Sequence, residues 1–130
     1  MNLRVDPHSL MPPSQQLVAG ILDAIARGEL APGDRLPAVR TLAADVLVNP
    51  NTVTKAWRDL ERMGATEGRN GSGVFVTPAG PSIARKTRLA ATLADLRAAI
   101  AAARAAGHDA TTLKETLAQA LRSEPVGERR

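Results

Sequence analysis

Val48-Asn49-Pro50-Asn51-Thr52-Val53 is the stretch on which the fold turns. Asn49 can cap a helix through its side-chain oxygen, and Pro50 suits the first helical turn, where a missing N–H costs nothing. Val53, Ala56, Trp57 and Leu60 follow at i, i+3, i+4 and i+7 and define a buried side, which places Trp57 in the core. Asn51, Thr52, Thr54 and Lys55 remain as polar groups around the first turns, the arrangement of a helix able to enter DNA. The pattern predicts a helix from Pro50 to about Met63, stopped at Gly64.

Two further helices are expected upstream. Leu17, Ile21 and Ile25 recur every four residues between Ser14 and Arg27, with Val18, Leu22 and Ala24 widening the stripe and Gly28 ending it. Val39, Leu42, Ala43 and Val46 repeat the pattern on a short second helix whose outer face is Arg40, Thr41, Ala44 and Asp45. Residues 29–37 between them read as a turn-rich connector, with Pro32-Gly33 favouring a tight reversal. Two short helices joined by a tight turn outline a helix-turn-helix. Downstream, the segments Ala65 to Arg69 and Gly73 to Thr77 flank Asn70-Gly71, the dipeptide best suited to a two-residue type I′ turn. Val74 and Val76 then point one way and Phe75 the other. A helix-turn-helix followed by a small hairpin is a winged helix.

The rest of the chain is helical and simple in composition. Leu89, Leu93, Leu96, Ile100 and Ala103 alternate spacings of four and three, the seam of a helix that pairs with another helix. Gly107-His108-Asp109 breaks it, and a shorter helix carries Leu113, Leu117, Ala120 and Leu121 on one face. Two helices cannot bury such stripes alone, so self-association into a homodimer is expected. The expected fold is mostly α with a small β-hairpin. It divides into an N-terminal arm at 1–11, a winged helix-turn-helix domain at 12–77, a linker at 78–81, a helical dimerisation tail at 82–122 and a disordered C-terminus at 123–130.

Composition removes several function classes. With no cysteine, disulfides, thiolate metal sites and cysteine nucleophiles are excluded. No apolar run is long enough to span a bilayer, and the first residues lack the design of a secretory signal, so no membrane partner and a cytoplasmic location are expected. His8 and His108 have no second ligand at metal spacing, no nucleophile, base and orienter can be assembled, and Gly71-Ser72-Gly73 lacks the strand-to-helix setting of a phosphate loop. Neither an enzyme nor a cofactor is expected. The formal net charge of +4 is unevenly placed: residues 1–80 balance eight basic against eight acidic side chains, and the whole excess lies beyond. A DNA-binding surface must therefore be a local positive field.

With these pieces in order, the chain resembles bacterial GntR-type transcription regulators over about residues 12 to 77. The matching pieces are Gln16-Leu17, Ile25 with Gly28-Glu29-Leu30, Pro32-Gly33, Leu36-Pro37, Arg40 with Leu42-Ala43, Val48-Asn49, Thr52-Val53 with Ala56, Leu60-Glu61 with Gly64, and Gly71-Ser72-Gly73-Val74-Phe75-Val76. Asn49-Pro50-Asn51-Thr52-Val53 together with the short tail resembles the YtrA-like subgroup, whose members carry a two-helix dimerisation tail. Four positions depart from the family pattern. Ser14 stands where an aromatic residue is usual, Ala38 for a serine, Leu47 for a turn glycine, and Ser72 where a basic wing residue is frequent.

The resemblance implies a homodimeric regulator that represses by binding an inverted-repeat, double-stranded DNA operator, one recognition helix per half-site. Asn51, Thr52, Thr54 and Lys55 would then meet base edges, Asn51 being able to pair bidentately with adenine. Asn49 combines a capping role with a candidate contact. Arg40 matches a position that faces DNA in the family, for phosphate or guanine. Arg58 lies farther along the helix, with Glu61 as a competing partner, as Asp59 is for Arg62. Arg35 in the connector and Arg69 in the wing are phosphate candidates; the wing tip would carry Arg69, Asn70, Gly71 and Ser72, with Gly71 allowing close backbone approach to the minor groove. Leu89, Leu93, Leu96, Ile100, Leu113, Leu117 and Leu121 would form the dimer contact. An unidentified small-molecule effector is left open, at the dimer interface or between tail and winged domain. The competing reading is a helical protein-interaction adaptor without sequence-specific DNA binding.

Overall fold

Pro50 opens one front helix, and Gly28 and Gly64 close two, where the sequence predicts. The computed structural model describes residues 1–123 and runs α1 (Pro13–Arg27), α2 (Val39–Val46), α3 (Pro50–Met63), β1 (Thr66–Arg69), β2 (Gly73–Val76), α4 (Gly80–Ala105) and α5 (Ala110–Arg122). Gly28 and Gly64 end α1 and α3 in the left-handed region, at φ of 85° and 86°. There the Glu29 N–H reaches back to the Ala24 carbonyl at 2.9 Å and the Ala65 N–H to that of Leu60 at 3.1 Å, satisfying carbonyls that the helix itself leaves open. Among the described residues no helix is long and apolar enough to cross a membrane.

The chain forms two compact units, Met1–Ala90 and the segment from Ala91 onward. In the first, α3 packs on α1 and α2. Leu17, Ile21, Leu22 and Ile25 of α1 meet Val53, Ala56, Trp57 and Leu60 of α3, and Leu42, Ala43, Val76 and Ala84 close the core. Each large aliphatic side chain so buried contributes roughly 1.5–3 kcal/mol. Trp57 also donates its indole N–H to the Pro37 carbonyl at 3.3 Å, which ties α3 to the start of α2.

Long-range packing departs from the expected outline in four places. The connector 29–37 is more than a turn: Gly33 N–H donates to Val76 O (2.9 Å), Val76 N–H to Asp34 O (2.9 Å) and Leu36 N–H to Val74 O (2.8 Å), so it is fastened alongside β2 of the two-stranded sheet through a single antiparallel bridge at Arg35 and Phe75. The hairpin pairs Thr66 with Val76 and Arg69 with Gly73, leaving a three-residue loop in place of the expected two-residue type I′ turn. Only Gly71 of that loop has positive φ (70°), and Ser72 N–H bonds Arg69 O at 3.0 Å, which is the pattern of a type II turn. The first residues are tied down, because Leu3 and Val5 pack on the core and Gln16 bonds the backbone of Asp6 and Met11. Finally, the expected linker 78–81 is short and packed. Gly80 is buried at the first turn of α4, where a Cβ would meet Val76 at 2.8 Å, and Ala84 joins the core, so the first unit reaches Ala90.

Leu47 carries local strain. It closes α2 at φ 60° and ψ 52°, a conformation unfavourable by roughly 1–2 kcal/mol for an L side chain, and its side chain is 89% exposed, so burial returns nothing. Leu47→Gly is therefore expected to stabilise the protein by about 1 kcal/mol after the added chain entropy is allowed for, and to raise Tm by several degrees in a thermal melt. A lower Tm would show that the leucine makes a contact worth more than the strain.

The second unit comprises the rest of α4 and α5, with Gly107 at φ 108° in the break. Asp109 caps α5 by accepting the Thr112 N–H at 2.8 Å, and that bond holds its carboxyl below the usual range. Apart from Ser123, which closes α5, the segment expected to be disordered lies outside the described residues.

Candidate nucleic-acid interface

Helical spacing sorts α3 into two sides. Asn51, Lys55, Arg58 and Arg62 fall at i, i+4, i+7 and i+11, one stripe opposite the buried Val53, Ala56, Trp57 and Leu60. All four are exposed, and the half-buried Thr52 and Thr54 flank the stripe on its two edges. Asn49 is committed: its side-chain oxygen accepts the Asn51 N–H at 2.7 Å, which caps the helix. That bond uses the Asn51 backbone and leaves its side-chain amide with no partner among the described residues. A free amide on the first turn keeps both its donor and its acceptor for a base edge.

The charges divide in the same way. Arg62 is held by Asp59 at 2.9 Å, Arg27 by Glu29 at 2.8 Å and Arg88 by Asp23 at 2.7 Å. Arg35, Arg40, Lys55 and Arg58 are exposed and form no ion pair among the described residues. Arg58 thus does not pair with Glu61, whose carboxylate instead lies beside Gly68 of β1. Arg40 stands on the exposed side of α2, the helix packed against α3. The first eighty residues, balanced in net charge, can in this way still carry a local positive field.

The wing differs from the sequence expectation. Its tip is the exposed, uncharged loop Asn70-Gly71-Ser72. Arg69 is drawn back from it, with its guanidinium carbon 4.2 Å from the centre of the Phe75 ring and Nη2 3.5 Å from Glu67 Oε2. Arg35 lies against Gly73, in the space a Cβ there would fill. Gly73 was not singled out by sequence reasoning. The signal available was the second glycine of Gly71-Ser72-Gly73, but its neighbour comes from the connector nearly forty residues earlier.

The family model for bacterial regulatory proteins, gntR family, matches residues 5–76. The chain is 39% identical over 75 residues to the HTH-type transcriptional repressor YtrA of Bacillus subtilis, an alignment covering 58% of each chain. It spans between half and two thirds of the length of three curated relatives, YtrA among them, and as little as 14% of others. Among solved structures, a transcriptional regulator from Oenococcus oeni superposes with a TM-score of 0.65 at 31% identity, over 90% of this chain and 97% of that one. AraR(DBD) in complex with operator ORX1 superposes with a TM-score of 0.52 at 28% identity, over 55% of this chain and 89% of that one.

Proposed function

The chain belongs to the GntR family of bacterial DNA-binding transcription regulators, and from that premise we propose that it is a repressor of the YtrA-like type that binds an inverted-repeat operator as a homodimer. The observation that carries the proposal is the outer stripe of α3: an uncommitted Asn51 amide followed by Lys55 and Arg58, cations without an internal partner among the described residues. Bases are read by the first turns of α3, through Asn51, Thr52, Thr54 and Lys55. Arg40 and Arg58 hold phosphates and fix the register. Two-fold symmetry sets the two recognition helices roughly 34 Å apart, one helical turn of DNA or a close multiple. The similarity to the repressor YtrA and to AraR(DBD), solved with an operator, supports this reading.

Protection footprinting on the DNA upstream of the gene, followed by Asn51→Ala, tests it. A base-reading asparagine loses roughly 1–3 kcal/mol of preference for the footprinted site over random duplex. An equal loss on both duplexes would make Asn51 a backbone contact. No binding to any duplex at low salt would favour the adaptor reading, in which the tail is the working part.

A further inference from the structure

Two arginines border the wing tip in different states, Arg69 of the hairpin and Arg35 of the connector, and the difference bears on how the wing meets DNA. The family likeness leads one to expect a cation between the two glycines of the tip, where this chain has Ser72. Arg69 stands next to the loop but is held on the outer face of the hairpin by two neighbours. The register Glu67 with Phe75 and Arg69 with Gly73 puts Glu67, Arg69 and Phe75 on one face. There the guanidinium lies 4.2 Å from the ring centre and 3.5 Å from the Glu67 carboxylate. To reach a phosphate it must give up both contacts, and its charge is already offset by Glu67.

Arg35 reaches the same face from the other side of β2. The isolated antiparallel bridge between Arg35 and Phe75 lays the connector beside β2, and the bonds of Gly33, Asp34 and Leu36 to Val76 and Val74 fix its position there. The Arg35 side chain then runs over Gly73. A Cβ on that residue would lie 2.6 Å from Arg35 Nε, 3.2 Å from Cζ and 3.3 Å from Nη2. Gly73 also has φ of 116°, a conformation that residues with a side chain rarely adopt. Arg35 is an exposed residue without an ion pair among the described residues, seated at the root of a tip that has no charge of its own.

Building on the DNA-binding role assigned to α3, on which the inference rests, we propose that Arg35, seated on Gly73, supplies the phosphate contact of this wing in place of a tip cation, that Gly73 is its positioning residue, and that Arg69 is withheld by Glu67 and Phe75. Arginine suits the task, since a planar fork resting on a peptide plane keeps its donors directed at a phosphate.

The test is the salt dependence of binding to a duplex from the gene's own upstream DNA and to a random duplex of equal length. Arg35→Gln is expected to flatten the log–log slope by about 0.9, the value for one phosphate, on both duplexes. Arg69→Gln is expected to change the slope by less than half as much. Gly73→Ala should reproduce the loss seen with Arg35→Gln, and adding it to Arg35→Gln should cost nothing more. Arg35→Lys, which keeps the charge, should restore most of the slope.

Equal slope changes for the two arginine variants would overturn the proposal. So would a Gly73→Ala loss of the same size with and without Arg35, because glycine would then serve only the fold. If Gly73→Ala does not fold by thermal melt, the contrast between the two arginine variants still decides. Wild-type protein that binds neither duplex at low salt overturns the functional reading itself, whereas wild-type binding with Arg35→Gln indistinguishable from it overturns only the role given to Arg35.

Discussion

Trp57→Ala is expected to destabilise the winged unit by about 3–5 kcal/mol, the range for emptying a buried aromatic site. A domain of ordinary stability holds only about 5–15 kcal/mol in total, so much of its margin goes with this one side chain. Two losses combine. The indole is 4% exposed between α2 and α3, and its N–H satisfies the Pro37 carbonyl at the start of α2. Trp57→Phe keeps most of the apolar area but leaves that carbonyl without its donor, so it should fall between the wild type and the alanine variant. Denaturant unfolding followed by far-ultraviolet circular dichroism measures all three, because both variants lack the chain's single tryptophan as a fluorescent reporter. A loss under about 1 kcal/mol for Trp57→Ala would mean that α2 and α3 are not held together at this residue.

The helices were legible because the signals that make them are local. Asn49 and Pro50 begin α3, Gly64 ends it, and the 3.6-residue repeat from Val53 to Leu60 chooses the buried side; all of this lies within one window of sequence. The connector's pairing with β2 was not legible. Gly33, Asp34 and Leu36 are held there only through bonds to Val74 and Val76, some forty residues away, and no alternation of apolar and polar residues marks them. The turn at Asn70 escaped the sequence for a related reason. Asn-Gly favours a two-residue loop locally, but pairing Arg69 with Gly73 leaves three residues to cross the gap, and Gly71 alone then needs positive φ.

Among the site residues, exposure was foreseeable and engagement was not. Periodicity places Asn51, Lys55 and Arg58 on the outside. Whether an exposed arginine is free depends on which carboxylate lies beside it. Arg62 has Asp59 one helical turn back, visible as an i, i+3 pair, whereas the capture of Arg69 over Phe75 depends on the hairpin register. Leu47 is the opposite case, since its departure from a family glycine is plain in the sequence and the structure adds only its consequence, a left-handed leucine.

The second large effect is expected from the tail. Leu96→Asn combined with Ile100→Asn should convert a dimer to a monomer and weaken binding to a two-half-site operator by roughly 10²–10⁴-fold, the gain lost when two linked sites no longer bind together. Leu96, Ile100 and Leu117 line a groove of about 490 Å³ between the latter half of α4 and α5, and Leu93 and Leu121 are also exposed. Two helices with this much apolar surface in water gain by covering it with a second copy. Sedimentation measures the first half of the prediction. The second half needs two duplexes: on a single half-site the variant should bind as the wild type does, because Asn51, Lys55 and Arg40 belong to the first unit, which the substitutions do not touch. If affinity for the half-site falls as far as affinity for the full operator, the tail acts by supporting the winged unit. If the variant stays dimeric with its operator affinity intact, the self-association surface lies elsewhere, and the leucine seam has another purpose.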